Sequence, residues 1–192
     1  MAGHFEALPG GGAAVALDEV EISILRSLAV QLMELLGPGD EPVEGEDPLA
    51  ALFAEGPSEA PSDPALKRLF PDAYGDEDEE LRAAAADFRR FTEKDLRSRK
   101  RADALCVVRS LDALAPTGEG GAVLKLTADE SRAWLGALND LRLTIGTRLE
   151  VTDEDESGDL YRLPDSDPRK PMVMAYLWLG ALQETLVETL MP

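Results

Sequence analysis

Residue types that do chemistry are unevenly supplied along this chain. Its 192 residues include one histidine, His4, and one cysteine, Cys106. One chain therefore cannot assemble a His-based triad, an HExxH zinc helix or an imidazole cluster. Cys106 recurs at helical spacing with apolar neighbours, the pattern of a core residue rather than a nucleophile. A GxxxxGK[ST] phosphate loop is absent. "GEGG" at Gly118–Gly121 precedes a strand, whereas a dinucleotide site needs its glycines after one. Carboxylates are abundant, so inventory alone leaves a two-carboxylate hydrolase or an oxygen-ligand metal site open. "TDEDESGD", Thr152–Asp159, is not a calcium loop: the twelfth position from Asp153 is Pro164, where a glutamate is needed. It reads as a solvated acidic loop. No catalytic residue, metal ligand or cofactor is assigned.

The basic residues are more informative because they cluster. Arg82 to Arg109 holds nine of the 19 lysines and arginines against four acids, Asp87, Glu93, Asp95 and Asp103. That segment is +5, so with a total of −19 the rest of the chain is −24. Such a surface repels phosphates and anionic head groups. Nucleic acid is therefore an unfavoured partner, although a regulator using helix 82–109 on DNA is one alternative function. The cluster also lacks exposed aromatics interleaved for base stacking. Two readings remain. The cations pair internally with the acidic segments, or Arg97, Arg99, Lys100 and Arg101, with Arg148, Glu154 and Asp155, meet a protein partner.

The stretch "LNDLRLTIGTRLEVTDED", Leu138–Asp155, is the other candidate. Leu138, Leu141, Ile145 and Leu149 are spaced for one helix face, so the helix is expected to run through Gly146. Asn139 and Arg142 lie beside that stripe. A guanidinium so placed is expected to be partly buried and to need a carboxylate. The polar gap in the long helix offers Asp95, so the expectation is a buried network of Asp95, Asn139 and Arg142.

The elements that must position these residues can be read in turn. "GHFEALPGGGAAVALDE" predicts two short strands about a Pro-Gly-Gly-Gly turn, near residues 3–8 and 13–17. Asp18 then caps a helix, with Glu21 completing a capping box. Gly37-Pro38-Gly39 stops it. Residues 40–80 hold 14 acids and only two bases, Lys67 and Arg68. A flexible acidic insertion is expected at about 38–76, with short helices at "DPLAALFAE" and "DPALKRLFPDAY". A long helix is predicted from Glu77 to Leu114, with Leu81, Ala85, Phe88, Ala102, Cys106 and Ala113 on its apolar face. Thr92, Asp95 and Arg99 interrupt that face. Phe91 and Leu96 offer a rotated alternative.

"GGAVLKLTADESRAWLGALNDLRL" repeats the N-terminal grammar at an offset of 109. Gly12, Val15, Leu17, Glu21, Leu25 and Leu32 recur as Gly121, Leu124, Leu126, Glu130, Trp134 and Leu141, with Asp18 and Thr127 at the same capping place. A third strand is expected at 122–126. "LYRL" is a candidate short strand, and Pro171–Met191 a final helix. That helix is apolar on nearly all sides over Met172–Leu182, so it is central or covered by a second subunit; a homodimer through 171–191 is one expectation. The fold class is mainly α: a single helical domain, 1–192, with a small antiparallel sheet. A lone cysteine suits a reducing cytoplasm. No signal peptide or membrane-spanning run is visible.

"LNDLRLTIGTRLEVT", "DFRRFTEKDLRSRKR" and "YLWLGALQETLVETL" together resemble an actinobacterial family of unknown function. The likeness covers most of the chain and is least over the acidic 40–80 region. Its most specific motif, LNDLRLxxGTRLxVTxED, is met at Leu138–Arg142, Gly146–Leu149, Val151, Thr152, Glu154 and Asp155. Genes of that family tend to lie near the gene for the Clp protease adaptor, and some members are called transcriptional regulators. The resemblance implies a cytoplasmic, non-enzymatic interaction or accessory protein, linked to regulated proteolysis, with a protein partner and no membrane.

Overall fold

The computed structural model describes residues 3–38, 56–75, 77–114, 121–152 and 159–191. It is mainly helical, with a small antiparallel sheet. In chain order the elements are β1 (Glu6–Ala7), β2 (Gly12–Asp18), α1 (Glu19–Leu36), α2 (Pro64–Leu69), α3 (Glu79–Asp112), β3 (Gly121–Thr127), α4 (Ala128–Arg148) and α5 (Lys170–Leu190). None of the helices is long and apolar enough to cross a membrane, among the described residues.

The sheet has the order β1-β2-β3, both pairings antiparallel. Gly10 and Gly11 turn the chain between β1 and β2 with φ of +94° and +85°, a region glycine enters without a Cβ clash. Strand side chains alternate. Ala13, Val15, Leu17, Ala122, Leu124 and Leu126 face the helices, while Ala16, Val123 and Lys125 face outward.

The 109-residue repeat takes physical form here. Val15 pairs with Leu124, its own equivalent, and each strand ends in a capping box three residues on. Asp18 accepts from Glu21 N–H while Glu21 accepts from Asp18 N–H; Thr127 and Glu130 do the same. A local two-fold through the Val15–Leu124 pair thus relates β2 to β3. Trp134, fully buried, and Phe5 meet edge to face at 6.0 Å beneath the sheet. The core continues through Leu25, Leu32, Val107, Leu138, Leu179 and Leu182.

Two expectations change, and the short helix expected at "DPALKRLFPDAY" forms. "LYRL" forms part of a 3₁₀ turn, Asp159–Arg162, not a strand; its four residues lack a neighbouring strand to pair with among the described residues. Within the acidic 38–76 stretch, Asp63 caps α2 with Pro64 at the first helical position, and Ala65, Leu69 and Phe70 are buried. The "DPLAALFAE" helix lies outside the described residues. The long helix does form, and Ala85 and Cys106 of the expected face pack inward, but the rest of its buried face is not the apolar one anticipated. Ala85, Arg89, Glu93, Ala104, Val107, Val108 and Leu111 face inward. Phe88 is 49% exposed, Ala102 and Ala113 are exposed, and Phe91 and Leu96 are exposed as well. The helix turns charge inward and aromatic rings outward.

Candidate functional site

The basic helix α3 spends four of its cations, Arg89, Arg97, Lys100 and Arg101, on its own fold. The last carbonyls of any helix lack intrahelical partners and sit at its negative end. Helix α1 has no base in its last turn. Its carbonyls are met from α3 instead: Arg97 donates to Leu36 O at 2.6 Å, and Arg101 to Met33 O at 3.2 Å and Gly37 O at 3.0 Å. Glu93, 3% exposed, accepts from Arg97 at 2.7 Å and from Arg89. Arg89 also donates to Phe70 O and Asp72, at 2.9 and 2.8 Å, tying the segment after α2 to α3. Arg97 stacks over the Phe70 ring at 4.4 Å.

Lys100 reaches the other way, to Asp140 of α4 at 2.6 Å. Asp140 is buried, and burial pushes its carboxyl up against the opposing pull of Lys100. Asp103, one turn along α3, is likewise raised by burial ahead of the lowering by Arg99. The expected ion pair between the helices therefore exists with reversed polarity and other members. An α3 base holds an α4 acid, where an α3 acid had been expected to hold Arg142.

The network of Asp95, Asn139 and Arg142 does not form as a buried unit. Asp95 and Asn139 are exposed. Arg142 is half-buried and donates to Gln183 Oε1 of α5 at 2.6 Å; Gln183 in turn donates to Asn139 Oδ1 at 3.4 Å. Its guanidinium lies over the Tyr176 ring at 5.2 Å, and its Nε is buried with no partner. The geometric reason is position on the helix. Asp140 points at α3 and Arg142, two residues on, points at α5, because a helix turns about 100° per residue.

Arg142 and Tyr176 stand between two open grooves. One, of about 590 Å³, runs along α5 past Leu177, Gln183 and Glu184. The other, of about 550 Å³, is bounded by Arg68, Thr147, Glu150 and Thr152. Gly146 helps make the room: a Cβ there would come within 3.3 Å of the Tyr176 ring, a tight approach, whereas one on Gly180 would make only ordinary contact with Arg142 Nε at 3.5 Å.

The end of the motif is a helix stop. Val151 N–H bonds Gly146 O and Glu150 N–H bonds Thr147 O, the two bonds of a Schellman cap. The residue at the left-handed position is Glu150, with φ of +57°, where glycine is the usual choice. "GTRLEVT" therefore closes α4 and shapes the groove wall at once.

A third groove, of about 650 Å³, lies where α1, α4 and α5 meet. Leu28, Leu35, Ile145 and Met172 line it with Arg148. Of the partner-binding candidates, Arg148 and Arg99 are exposed, while Arg97, Lys100 and Arg101 are partly buried and engaged within the chain. Glu154 and Asp155 lie outside the described residues. Among the described residues no group of three or more His, Cys, Asp or Glu is placed to hold a metal. Sequence reasoning missed Tyr176, Gln183 and Glu93. Tyr176 and Gln183 sit in an apolar run that reads as plain core. Glu93 sits in a mixed-charge run, and its i,i+4 spacing to Arg89 and Arg97 was the available signal.

The chain covers 78% of an "Oxidative stress regulator AosR" of Mycobacterium tuberculosis, with 31% identity over 176 residues, 89% of this chain. A Mycobacterium bovis protein of the same name matches equally. A Mycobacterium leprae relative is 34% identical over 179 residues, 89% of this chain and 79% of its own. No solved structure matches. A family model described as a domain of unknown function, DUF2017, matches residues 2–190, and the chain belongs to that family.

Proposed function

We propose that this chain is a non-enzymatic, cytoplasmic regulatory protein that acts by binding another protein rather than DNA. The observation that carries the reading is the inward use of the basic helix. Arg89, Arg97, Lys100 and Arg101, the cations a DNA-binding helix would offer to phosphates, hold Glu93, Asp140, Phe70 O and the carbonyl end of α1. With a total charge of −19, approach to a polyanion is opposed overall. The regulatory part of the reading comes from the relatives' name.

The groove between α1, α4 and α5 is the docking place this reading favours. Its lining is largely apolar, with Gln31, Glu34, Thr144 and the exposed Arg148 as its polar members, and suits an apolar segment bearing polar groups of both signs. The Clp protease adaptor, suggested by the family's gene neighbourhood, is the first partner to test. Purified adaptor is expected to co-elute with this protein, and Met172→Glu with Arg148→Glu, both at exposed lining residues, to abolish co-elution without lowering the melting temperature. A clean, partnerless capture from an actinobacterial lysate at low salt would count against protein docking altogether. Retardation of duplex DNA at about 50 mM salt, fading steeply as salt rises, would replace the proposal with the DNA-binding alternative.

A further inference from the structure

The long helix α3 carries two faces of opposite character, a charged one turned inward and one whose phenylalanines are open to solvent. On the outward side, Ala84, Phe88, Phe91, Asp95, Ser98 and Ala102 follow each other at spacings of 4, 3, 4, 3 and 4. That is the seven-residue repeat that seats one helix on another. Phe88 and Phe91 are 49% and 64% exposed, and Tyr74, 48% exposed, flanks them edge to face against Phe88 at 6.2 Å. A soluble chain seldom leaves such a run of rings open without use.

We infer that this stripe is where a second copy of the chain packs, its α3 antiparallel to the first. The argument is self-complementarity. The stripe is large at its N-terminal half and small at its C-terminal half. Antiparallel pairing about a two-fold between Leu96 and Arg97 sets Phe91 against Ala102 and Phe88 against Leu105 of the second copy. Asp95 then meets Ser98, and the exposed Arg99 beside Ser98 reaches Asp95. Parallel in-register pairing would instead stack ring on ring, leave Ala102 facing Ala102, and set Asp95 against Asp95. From Ala84 to Arg109 the contact is about 38 Å long at 1.5 Å per residue, enough for an extended helix–helix interface. The inference is independent of the protein-docking reading, because the groove on α1, α4 and α5 involves none of these residues.

Sedimentation of the full chain tests it. The wild type is expected to be a dimer in reductant, since this register keeps the two Cys106 about 28 Å apart along the helices and no disulfide can join them. Phe88→Glu with Phe91→Glu is expected to sediment as a monomer with an unchanged helical circular dichroism signal, the rings being exposed. Asp95→Arg and Arg99→Asp are each expected to weaken association about tenfold, and together to restore most of it. A wild type that stays monomeric up to about 100 µM overturns the inference. So does a dimer indifferent to the Phe88 and Phe91 changes, which would point to another face such as α5. Failure of the double charge swap to restore association overturns the antiparallel register.

Discussion

Helices α3 and α4 meet the same problem, how to pack a charged helix, and solve it differently. Helix α4 follows the expected grammar: Trp134, Leu138, Leu141 and Ile145 are buried on one stripe, and its one inward acid is Asp140. Helix α3 buries Arg89 and Glu93 instead, with alanines and valines on either side, and shows its phenylalanines to solvent. The contrast teaches that burial of charge is tolerable where each group has several partners. Arg89 has three, Glu93 two, and the carbonyls at the end of α1 supply acceptors that no side chain need provide. A buried ion without such partners would cost several kcal/mol.

The largest effect that can break this comparison is at Glu93. Glu93→Gln removes the carboxylate shared by Arg89 and Arg97 and is expected to cost about 3–5 kcal/mol in denaturant unfolding. A loss below about 1 kcal/mol would mean that Asp72 and the carbonyls suffice to hold those arginines.

At the α3–α4 contact the test is pH dependence. Asp140 and Asp103 both have carboxyls raised by burial in the folded chain. The folded form therefore binds their protons more tightly than the unfolded one. Their contribution to stability is full below the ordinary carboxylate range and is lost as pH rises through the raised folded range. The melting temperature of Asp103→Asn, followed across mildly acidic to neutral pH, is expected to fall less with rising pH than that of the wild type. Parallel curves would show that Asp103 does not titrate differently on folding.

At the end of α4, Glu150→Gly relieves a left-handed residue and is expected to stabilise by about 1 kcal/mol, read as a higher melting temperature. A loss of stability would mean that the Glu150 side chain holds the groove wall through contacts worth more than the strain. The smallest effect belongs to the outer face of α3. Phe91→Ser at concentrations below dimerisation is expected to change stability by no more than about 0.5 kcal/mol. A large loss there would show that the exposed rings serve the monomer's own fold.

Much of the architecture was legible from local signals. Capping boxes at Asp18 and Thr127 mark helix starts because the bonding groups lie three residues apart in sequence. Alternation marked β2 and β3, and the Asp63-Pro64 pair marked α2. The candidate site was legible only as a neighbourhood. The place of Arg142 beside the apolar stripe can be read locally, but its partners, Tyr176 and Gln183, are 34 and 41 residues away and share no motif with it.

What the chain alone determined about itself is thus a set of elements, their ends, and the faces of those whose apolar spacing is unbroken. These depend on interactions within a few residues. Tertiary structure decided which face of α3 turns inward. There the apolar stripe and the charged one compete, and the outcome depends on carbonyls at the end of α1 and on Asp140, groups remote in sequence. The same reason governs Arg142. A guanidinium's need for partners can be read locally; which groups answer it is set by the packing of α4 against α5.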